Sequence, residues 1–292
     1  MSMKIKFEGW VAYVTDIDVT KATDEEIQVI GNLIADATVV VIPGVKNLTP
    51  LEEHNFTARF GKHDLFDEVK AKYPKFYDSI MRDYPEAPSI ARVTGALNDE
   101  GLPGLHGGEG DLDWHCNKPH MPNRMPIVYL RSIKGSVGSR TSWINGVLAY
   151  NDLPEEWKQR LEGITLRTTS SYGNYSEIGE VFGLQETISD VAFGYKPPMI
   201  STNAKGHKAI YFPFLQMRGL IGVKDKEEED EILQYVQKHM MQEKYMFHHD
   251  WQDGDINFSD QWSGIHKRWA FPGMATRLLH RIVFTYDNIR FT

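Results

Sequence analysis

Two segments of the sequence, far apart in the chain, contain the residue types of a metal site. The first segment has Asp111, Asp113, His115 and Asn117 at alternating positions. If it is a strand, its period of two places these four side chains on one face, so that a histidine and an oxygen ligand form a compact pair. The second segment contains His266. Two imidazoles and one oxygen ligand on one face of a metal are typical of non-haem Fe(II) oxygenases.

Two arginines follow the second histidine and could bind carboxylates. Arg277 and Arg281 are separated by an even number of positions, so a continuous strand places both on one face. Buried guanidinium groups are costly unless they are paired with anions, and their planar geometry suits a carboxylate. The pattern therefore predicts a site for one or two carboxylates, such as the distal carboxylate of a metal-bound 2-oxo acid. The alternative is a pair of structural arginines with protein partners.

The sequence around His115 resembles a known signature. The run Trp114-His115-Cys116-Asn117 is similar to the Trp-His-x-Asp signature of the taurine dioxygenase family of Fe(II)/2-oxoglutarate-dependent oxygenases. Further similarities follow in the family's order over nearly the whole chain. They comprise residues 38–44, residues 48–61 with a Phe-Gly ending, the turn 138–141, the pair Asp260-Gln261, and residues 277–281 as Arg-x-x-His-Arg.

The resemblance implies a function and a role for each matching residue. It implies a dioxygenase that binds Fe(II) and 2-oxoglutarate and hydroxylates a small anionic substrate, with release of succinate and CO2. The implied roles are iron binding by His115 and His266, binding of the distal carboxylate of 2-oxoglutarate by Thr141 and Arg277, and substrate contacts by Arg281 and Asp111.

The chain departs from the family at Asn117, where the family has a carboxylate. A carboxamide oxygen is neutral and is therefore a poorer ligand of Fe(II) than a carboxylate. We consider three hypotheses. Asn117 binds the metal through its amide oxygen, Asp113 supplies the missing carboxylate, or the metal site has decayed and the protein only binds ligands.

Two functions of other classes are the alternatives to an oxygenase. The first is a non-catalytic protein on the same scaffold that binds a small anion through Arg277 and Arg281. The second is a divalent-metal hydrolase, in which Asp113 or Asp111 acts as the base beside a metal-bound water.

Composition and charge limit the partners of the protein. The 292 residues are 41% hydrophobic and 25% charged, which is typical of globular proteins. The net charge of −8 disfavours nucleic acid as a partner, and no apolar run is long enough to cross a bilayer. The single cysteine, Cys116, excludes an intrachain disulfide and fits a reducing compartment. We expect a cytoplasmic protein that uses a small-molecule substrate and O2, without nucleic-acid or membrane partners, and leave a homo-oligomer open.

The pattern of helix and strand signals predicts an α+β fold that is mainly β. Capping boxes begin helices at Thr23 and Thr49, and helices are also predicted from about 154 to 161 and through 232–236. Strands are predicted at 38–42, 127–130, 209–214, 256–259 and 278–284. With the resemblance, this favours a double-stranded β-helix (jelly roll) flanked by helices. We expect one domain over residues 1–292, with lid loops near 98–110 and 170–190.

Overall fold

The fold consists of two main β-sheets with helices around them. The computed structural model describes residues 3–81, 83–170 and 184–292. The strands are β1 (Lys4–Glu8), β2 (Val11–Thr15), β3 (Val39–Ile42), β4 (Ala91–Val93), β5 (Leu112–His115), β6 (Ile127–Lys134), β7 (Arg140–Asn145), β8 (Thr165–Thr168), β9 (Ile200–Thr202), β10 (Lys208–Ile210), β11 (Met217–Ile221), β12 (Met246–Asp250), β13 (Ile256–Asp260), β14 (Gly264–Arg268) and β15 (Leu278–Phe284). The α-helices are α1 (Asp24–Ala37), α2 (Pro50–Ala58), α3 (Asp67–Lys72), α4 (Pro74–Met81), α5 (Gly146–Asn151), α6 (Glu155–Glu162), α7 (Ser189–Ala192) and α8 (Lys226–Met240).

The two sheets form the predicted jelly roll. The larger sheet has the strand order β1-β2-β3-β13-β6-β15-β4, and the smaller one has the order β12-β7-β14-β5. Neighbouring strands are antiparallel except for the parallel pair β2–β3. One buried cluster contains Val41, Val128 and Val283 of the larger sheet together with Trp143 of the smaller sheet. The apolar faces of the two sheets therefore share one core, as in a sandwich.

The helices begin where the sequence predicts. Thr23 and Thr49 both form complete capping boxes, in which the threonine side chain accepts from the backbone three residues later and a glutamate bonds back. Ile27, Ile30 and Ile34 of α1 are buried in the cluster that covers the outer face of the larger sheet. Their helical spacing therefore predicts the face that packs.

One predicted strand is much shorter than expected. The run 209–214 forms a strand only from Lys208 to Ile210, and a 3₁₀ turn follows at Phe214–Gln216. Pro213 lacks a backbone N–H and so cannot continue a ladder of hydrogen bonds, which accounts for the early end. The other predicted strands are present. In the described ranges, no helix combines the length and the apolarity needed to cross a membrane.

Candidate active site

Strand pairing in the smaller sheet brings the two predicted histidines together. His115 at the end of β5 lies directly opposite His266 on β14. The centroids of the two imidazole rings are 4.1 Å apart, and the ring planes are inclined by 53°. On its other side, β14 pairs with β7, where Arg268 lies opposite Thr141. A metal ligand pair and a predicted oxo-acid ligand therefore lie on three neighbouring strands.

Both imidazoles are neutral near pH 7 because they are buried. Burial lowers the pKa of His115 to about 4. Burial, helped by the nearby His115 and Arg281, lowers the pKa of His266 well below its usual value. The Nδ1 atom of His115 lies 2.6 Å from the carbonyl oxygen of Asp113. Donation from Nδ1 to this oxygen fixes the tautomer and leaves Nε2 with a lone pair that can bind a metal.

A β-bulge moves Asp113 away from the face of His115. His266 pairs with His115 and Arg268 with Leu112, so β5 contains one residue more than β14 between the two pairs. The extra residue breaks the alternation of side chains. Leu112 lines the cavity beside His115, whereas the half-exposed Asp113 carboxylate lies 3.2 Å from the Lys267 ammonium. The expectation that residues 111, 113, 115 and 117 share one face is therefore wrong, and Asp113 lies outside the lining of the cavity that holds the two histidines.

Asp111 lies at the surface, next to the same lysine. One carboxylate oxygen is 3.0 Å from the Lys267 ammonium, and the other accepts a hydrogen bond from the Ala270 backbone at 2.5 Å. Although partial burial opposes it, the bonds to Asp111 and Asp113 raise the pKa of Lys267. Among the described residues, the cavity is lined by neither of these two acids. The predicted contact of Asp111 with a substrate stays a prediction.

Asn117 lies two residues beyond β5 and lines the same cavity as the histidines. Its side chain is 4% exposed, and its Nδ2 atom has no hydrogen-bond partner. Its backbone N–H donates to Oε1 of Gln261 at 2.5 Å, and Gln261 lies in the turn that precedes β14. This bond ties the third candidate ligand to the strand that carries His266. In the described part of the chain, no three His, Cys, Asp or Glu side chains are arranged to hold a metal.

Arg277 and Thr141 lie in the cavity as expected for an oxo-acid site. Arg277 is 1% exposed, its Nη1 reaches the Met274 sulfur at 3.6 Å, and its Nε has no hydrogen-bond partner. Burial, together with the charge of Arg268, lowers the pKa of Arg277 to about 9, so the group stays charged at pH 7. The Thr141 hydroxyl accepts a hydrogen bond from the Trp251 indole at 2.9 Å and retains its own proton for donation.

Arg281 is buried at the same cavity. Arg277 and Arg281 both line it, so the prediction that they share one face is confirmed. The guanidinium centre of Arg281 lies 5.8 Å from the centroid of the Phe66 ring, within range of a cation–π contact.

Sequence reasoning missed two polar residues of the cavity, Arg268 and His106. Arg268 lies two positions after His266 on β14, so the alternation used for the other arginines could have identified it. His106 lies in a loop with a positive φ of 52°, for which the sequence carries no periodic signal. The cavity measures about 40 Å³ and is lined by Val93, His106, Leu112, His115, Asn117, Val128, Leu130, Thr141, His266, Arg268, Arg277, Leu279 and Arg281.

The predicted lid loops differ in what can be described. His106 places the loop 98–110 against the cavity, and the Glu109 carbonyl accepts a hydrogen bond from Phe271, three residues beyond β14, at 2.8 Å. Of the loop 170–190, residues 171–183 lie outside the described residues, and its end forms α7.

The residues of the cavity fit an Fe(II)/2-oxoglutarate site. Two neutral imidazoles and a carboxamide line one cavity, and imidazole and oxygen ligands suit Fe(II). The buried guanidinium of Arg277 lacks a partner at Nε, as expected of a group that receives an anionic ligand. The carboxamide of Asn117 makes the donor set one negative charge poorer than a set with two histidines and one carboxylate.

Comparisons with known proteins agree with this geometry. The model of the "Taurine catabolism dioxygenase TauD, TfdA family" matches residues 6–283. A pentalenolactone F synthase of Streptomyces avermitilis is 24% identical over 217 residues, 70% of this chain and 71% of that protein. An (S)-phenoxypropionate/alpha-ketoglutarate-dioxygenase of Sphingobium herbicidovorans is 24% identical over 181 residues, 59% of this chain and 61% of that protein.

The fold is shared with solved structures of the same kind. The crystal structure of a taurine dioxygenase from Burkholderia xenovorans superposes with a TM-score of 0.70 at 17% identity, over 97% of this chain and 89% of that one. The family match covers nearly the whole chain, and the cavity holds the two histidines and the buried arginine that the family's chemistry needs. The chain therefore belongs to the TauD/TfdA family and is an Fe(II)- and 2-oxoglutarate-dependent dioxygenase.

Proposed function

We propose that the protein hydroxylates a small anionic molecule at a site formed by the cavity residues described above. In this proposal His115, Asn117 and His266 bind Fe(II), Arg277 and Thr141 bind the distal carboxylate of 2-oxoglutarate, and Arg281 binds the anionic group of the substrate. When bound, Fe(II) and 2-oxoglutarate supply O2 activation, in which conversion of the oxo acid to succinate and CO2 accompanies hydroxylation of a C–H bond.

The observation that carries the proposal is the meeting of His115 and His266 in one cavity with Arg277. The imidazole centroids lie 4.1 Å apart, and the guanidinium is 1% exposed. Because both imidazoles are neutral, no proton competes with the metal for their nitrogens near pH 7. Because Arg277 is buried and charged, its attraction for a carboxylate is little screened by water.

The chain's own residues also hold the ligands in place. The Asp113 carbonyl orients the His115 ring, and the Gln261 side chain holds the backbone of Asn117. The Trp251 indole donates a hydrogen bond to the Thr141 oxygen, so the threonine O–H points away from the indole and can donate to a ligand. Val128, Leu130 and other apolar side chains exclude water from the remaining wall.

Two observations bear on the substrate and on the alternative function. One relative is named for phenoxypropionate, which is a carboxylate, and this supports an anionic substrate. The family match and the curated relatives do not favour a non-catalytic anion-binding protein. The surface positions of Asp111 and Asp113 leave a metal hydrolase without its candidate base.

The proposal extends to domain organisation and location. We infer that residues 1–292 form one catalytic domain. We also infer that the protein works in the cytoplasm, and the single, buried cysteine Cys116 supports this location. A homo-oligomer stays a prediction that light scattering of the purified protein can test.

Oxygen consumption coupled to succinate formation tests the function. We expect the protein with Fe(II) and 2-oxoglutarate to form succinate slowly without a substrate and faster once a substrate is found by screening. His266→Ala should abolish succinate formation. Arg140→Met is the matched control, because Arg140 begins the strand of Thr141 but pairs with Asp250 at the surface. The proposal would be contradicted if the wild-type protein formed succinate no faster than His266→Ala.

A further inference from the structure

The cavity carries more positive charge than the proposed reaction uses. Three guanidinium groups line it, those of Arg268, Arg277 and Arg281, and none of the described lining residues is Asp or Glu. In the proposed function, Arg277 binds the oxo acid and Arg281 binds one anionic group of the substrate. Arg268 has no role in that scheme.

Arg268 is placed to face a ligand. It lies two residues after His266 on β14, it is 8% exposed, and it lines the cavity. Its Nη1 donates to the His106 carbonyl at 2.8 Å and its Nη2 to the Gly110 carbonyl at 2.5 Å. Its Nε is buried without a hydrogen-bond partner.

No carboxylate of the described residues forms an ion pair with Arg268, although Asp111 is near enough for its charge to act on the guanidinium. The hydrogen-bond partners of Arg268 in the described residues are these two neutral carbonyls and the Met274 sulfur, which Nη1 reaches at 3.4 Å. An arginine guanidinium is charged at pH 7. Burial of a charge without an ion-pair partner lowers the stability of the fold, so a purely structural role would be unfavourable for Arg268.

The adjacent residue, Lys267, lies on the opposite face of β14 and has different partners. Lys267 points to the other side of β14, where Asp111 and Asp113 neutralise it at 3.0 and 3.2 Å. Both acids of this region therefore form ion pairs with Lys267, and neither forms one with Arg268.

The size of the cavity indicates how Arg268 becomes available. A volume of about 40 Å³ holds about three water molecules by this kind of measure, so the five-carbon oxo acid and a substrate do not fit without movement. The loop 98–110 covers the cavity through His106, and Arg268 holds two of its carbonyls. Binding of an anion by Arg268 therefore requires an outward movement of this loop that enlarges the cavity and frees the guanidinium.

We propose that Arg268 and Arg281 together bind a primary substrate with at least two negative charges. A dicarboxylate and a phosphate monoester share this chemistry. The inference rests on the proposed function, in which Arg277 and the metal already bind the two carboxylates of 2-oxoglutarate. The neutral carboxamide of Asn117 adds to the requirement, since it leaves the charge of the metal undiminished.

Titration of the anaerobic complex with Fe(II) and 2-oxoglutarate by calorimetry tests the inference. The probes are malonate and methyl phosphate as dianions and propionate as the monoanion, at constant ionic strength. We expect at least one dianion to bind about tenfold tighter than propionate, or about 1.4 kcal/mol. Preference for malonate or for methyl phosphate then distinguishes the two substrate types. The visible charge-transfer band of the complex shows that the oxo acid stays bound.

Three variants separate a contact from a structural effect. Arg268→Met should reduce the ratio of dianion affinity to propionate affinity from about ten to about one. Arg268→Lys should retain most of this ratio. Lys267→Met removes the same charge one residue away on the opposite face and should leave the preference unchanged. Loss of the preference in both Arg268→Lys and Lys267→Met would show a structural cause and overturn the inference.

The two proposals fail in different ways. If the charge-transfer band forms and the wild-type protein has no preference for either dianion, the inference about the substrate is wrong and the proposed function stands. The same holds if Arg268→Met keeps the full preference. If no band forms, the proposed function fails, and the inference fails with it.

Discussion

Replacement of Asn117 by aspartate tests how the chain completes its metal site. The Asn117 carboxamide is 4% exposed and lies in a cavity without an acidic residue in its described lining. Two unit charges 4 Å apart interact by about 4 kcal/mol at an effective dielectric constant of 20, and a divalent ion doubles this. Much of this gain is lost because the new carboxylate already interacts with the guanidinium groups in the metal-free protein. We expect a net gain of about 3 kcal/mol, or about a hundredfold in Fe(II) affinity.

The assay is anaerobic competition for Fe(II) with a coloured chelator. Asn117→Asp should bind Fe(II) about a hundredfold tighter than the wild-type protein, and Asn117→Ala should bind it more weakly, because it loses the amide oxygen. Asp113→Asn is the matched control, since this carboxylate lies beside Lys267 outside the cavity. Unchanged affinity in Asn117→Asp together with weaker binding by Asp113→Asn would refute the reasoning and return the role of ligand to Asp113.

Three other substitutions test the oxo-acid site and the buried turn before β14. Arg277→Met should raise the KM for 2-oxoglutarate at least tenfold in a succinate assay, yet stabilise the ligand-free protein by about 1–3 kcal/mol in urea unfolding, because it removes a buried and poorly paired charge. Thr141→Val should raise the same KM and lower stability by about 1–2 kcal/mol, since it leaves the Trp251 indole without an acceptor. Burial raises the pKa of Asp260 to about 6, although hydrogen bonds from the backbone and from Tyr286 oppose the shift. The folded protein therefore binds this proton more tightly than the unfolded chain, and the associated stability, about 3 kcal/mol, is present below pH 4 and is lost as pH rises through about 6. Urea unfolding of Asp260→Asn from pH 4 to 7 should lack this decline, and an unchanged pH dependence would contradict the assignment.

The parts of the fold that follow from local signals could be predicted from the sequence. The capping box at Thr23 and the helical spacing of Ile27, Ile30 and Ile34 are short-range features, and both are present as expected. The strand 278–284 was also identifiable from its composition and has these bounds in the structure. Local chemistry decides such elements before any tertiary contact forms.

The metal site could be predicted only in part. His115 and His266 were identifiable through the family resemblance, and their pairing follows from it. The position of Asp113 was not predictable, because the bulge in β5 depends on how this strand pairs with β14 and not on the alternation of its own residues. The same limit applies to His106, which a loop with positive φ brings to the cavity.

Arg268 is a different kind of omission. It lies two positions after His266 on the same strand and therefore on the same face. The argument used for Arg277 and Arg281 would have placed it in the cavity. Its position next to Lys267 makes the pair look like an ordinary charged surface. Only the structure separates the two faces, because it shows that the acids at 111 and 113 both serve Lys267.

An anaerobic titration of the protein with Fe(II) in the presence of 2-oxoglutarate tests the central claim most directly. The account predicts a visible metal-to-ligand charge-transfer band that saturates at one iron per chain. The band should be lost in His115→Ala and His266→Ala and should need much more 2-oxoglutarate in Arg277→Met. Absence of the band in the wild-type protein, or an equal band in the histidine variants, would contradict the claim that these side chains meet at one iron site.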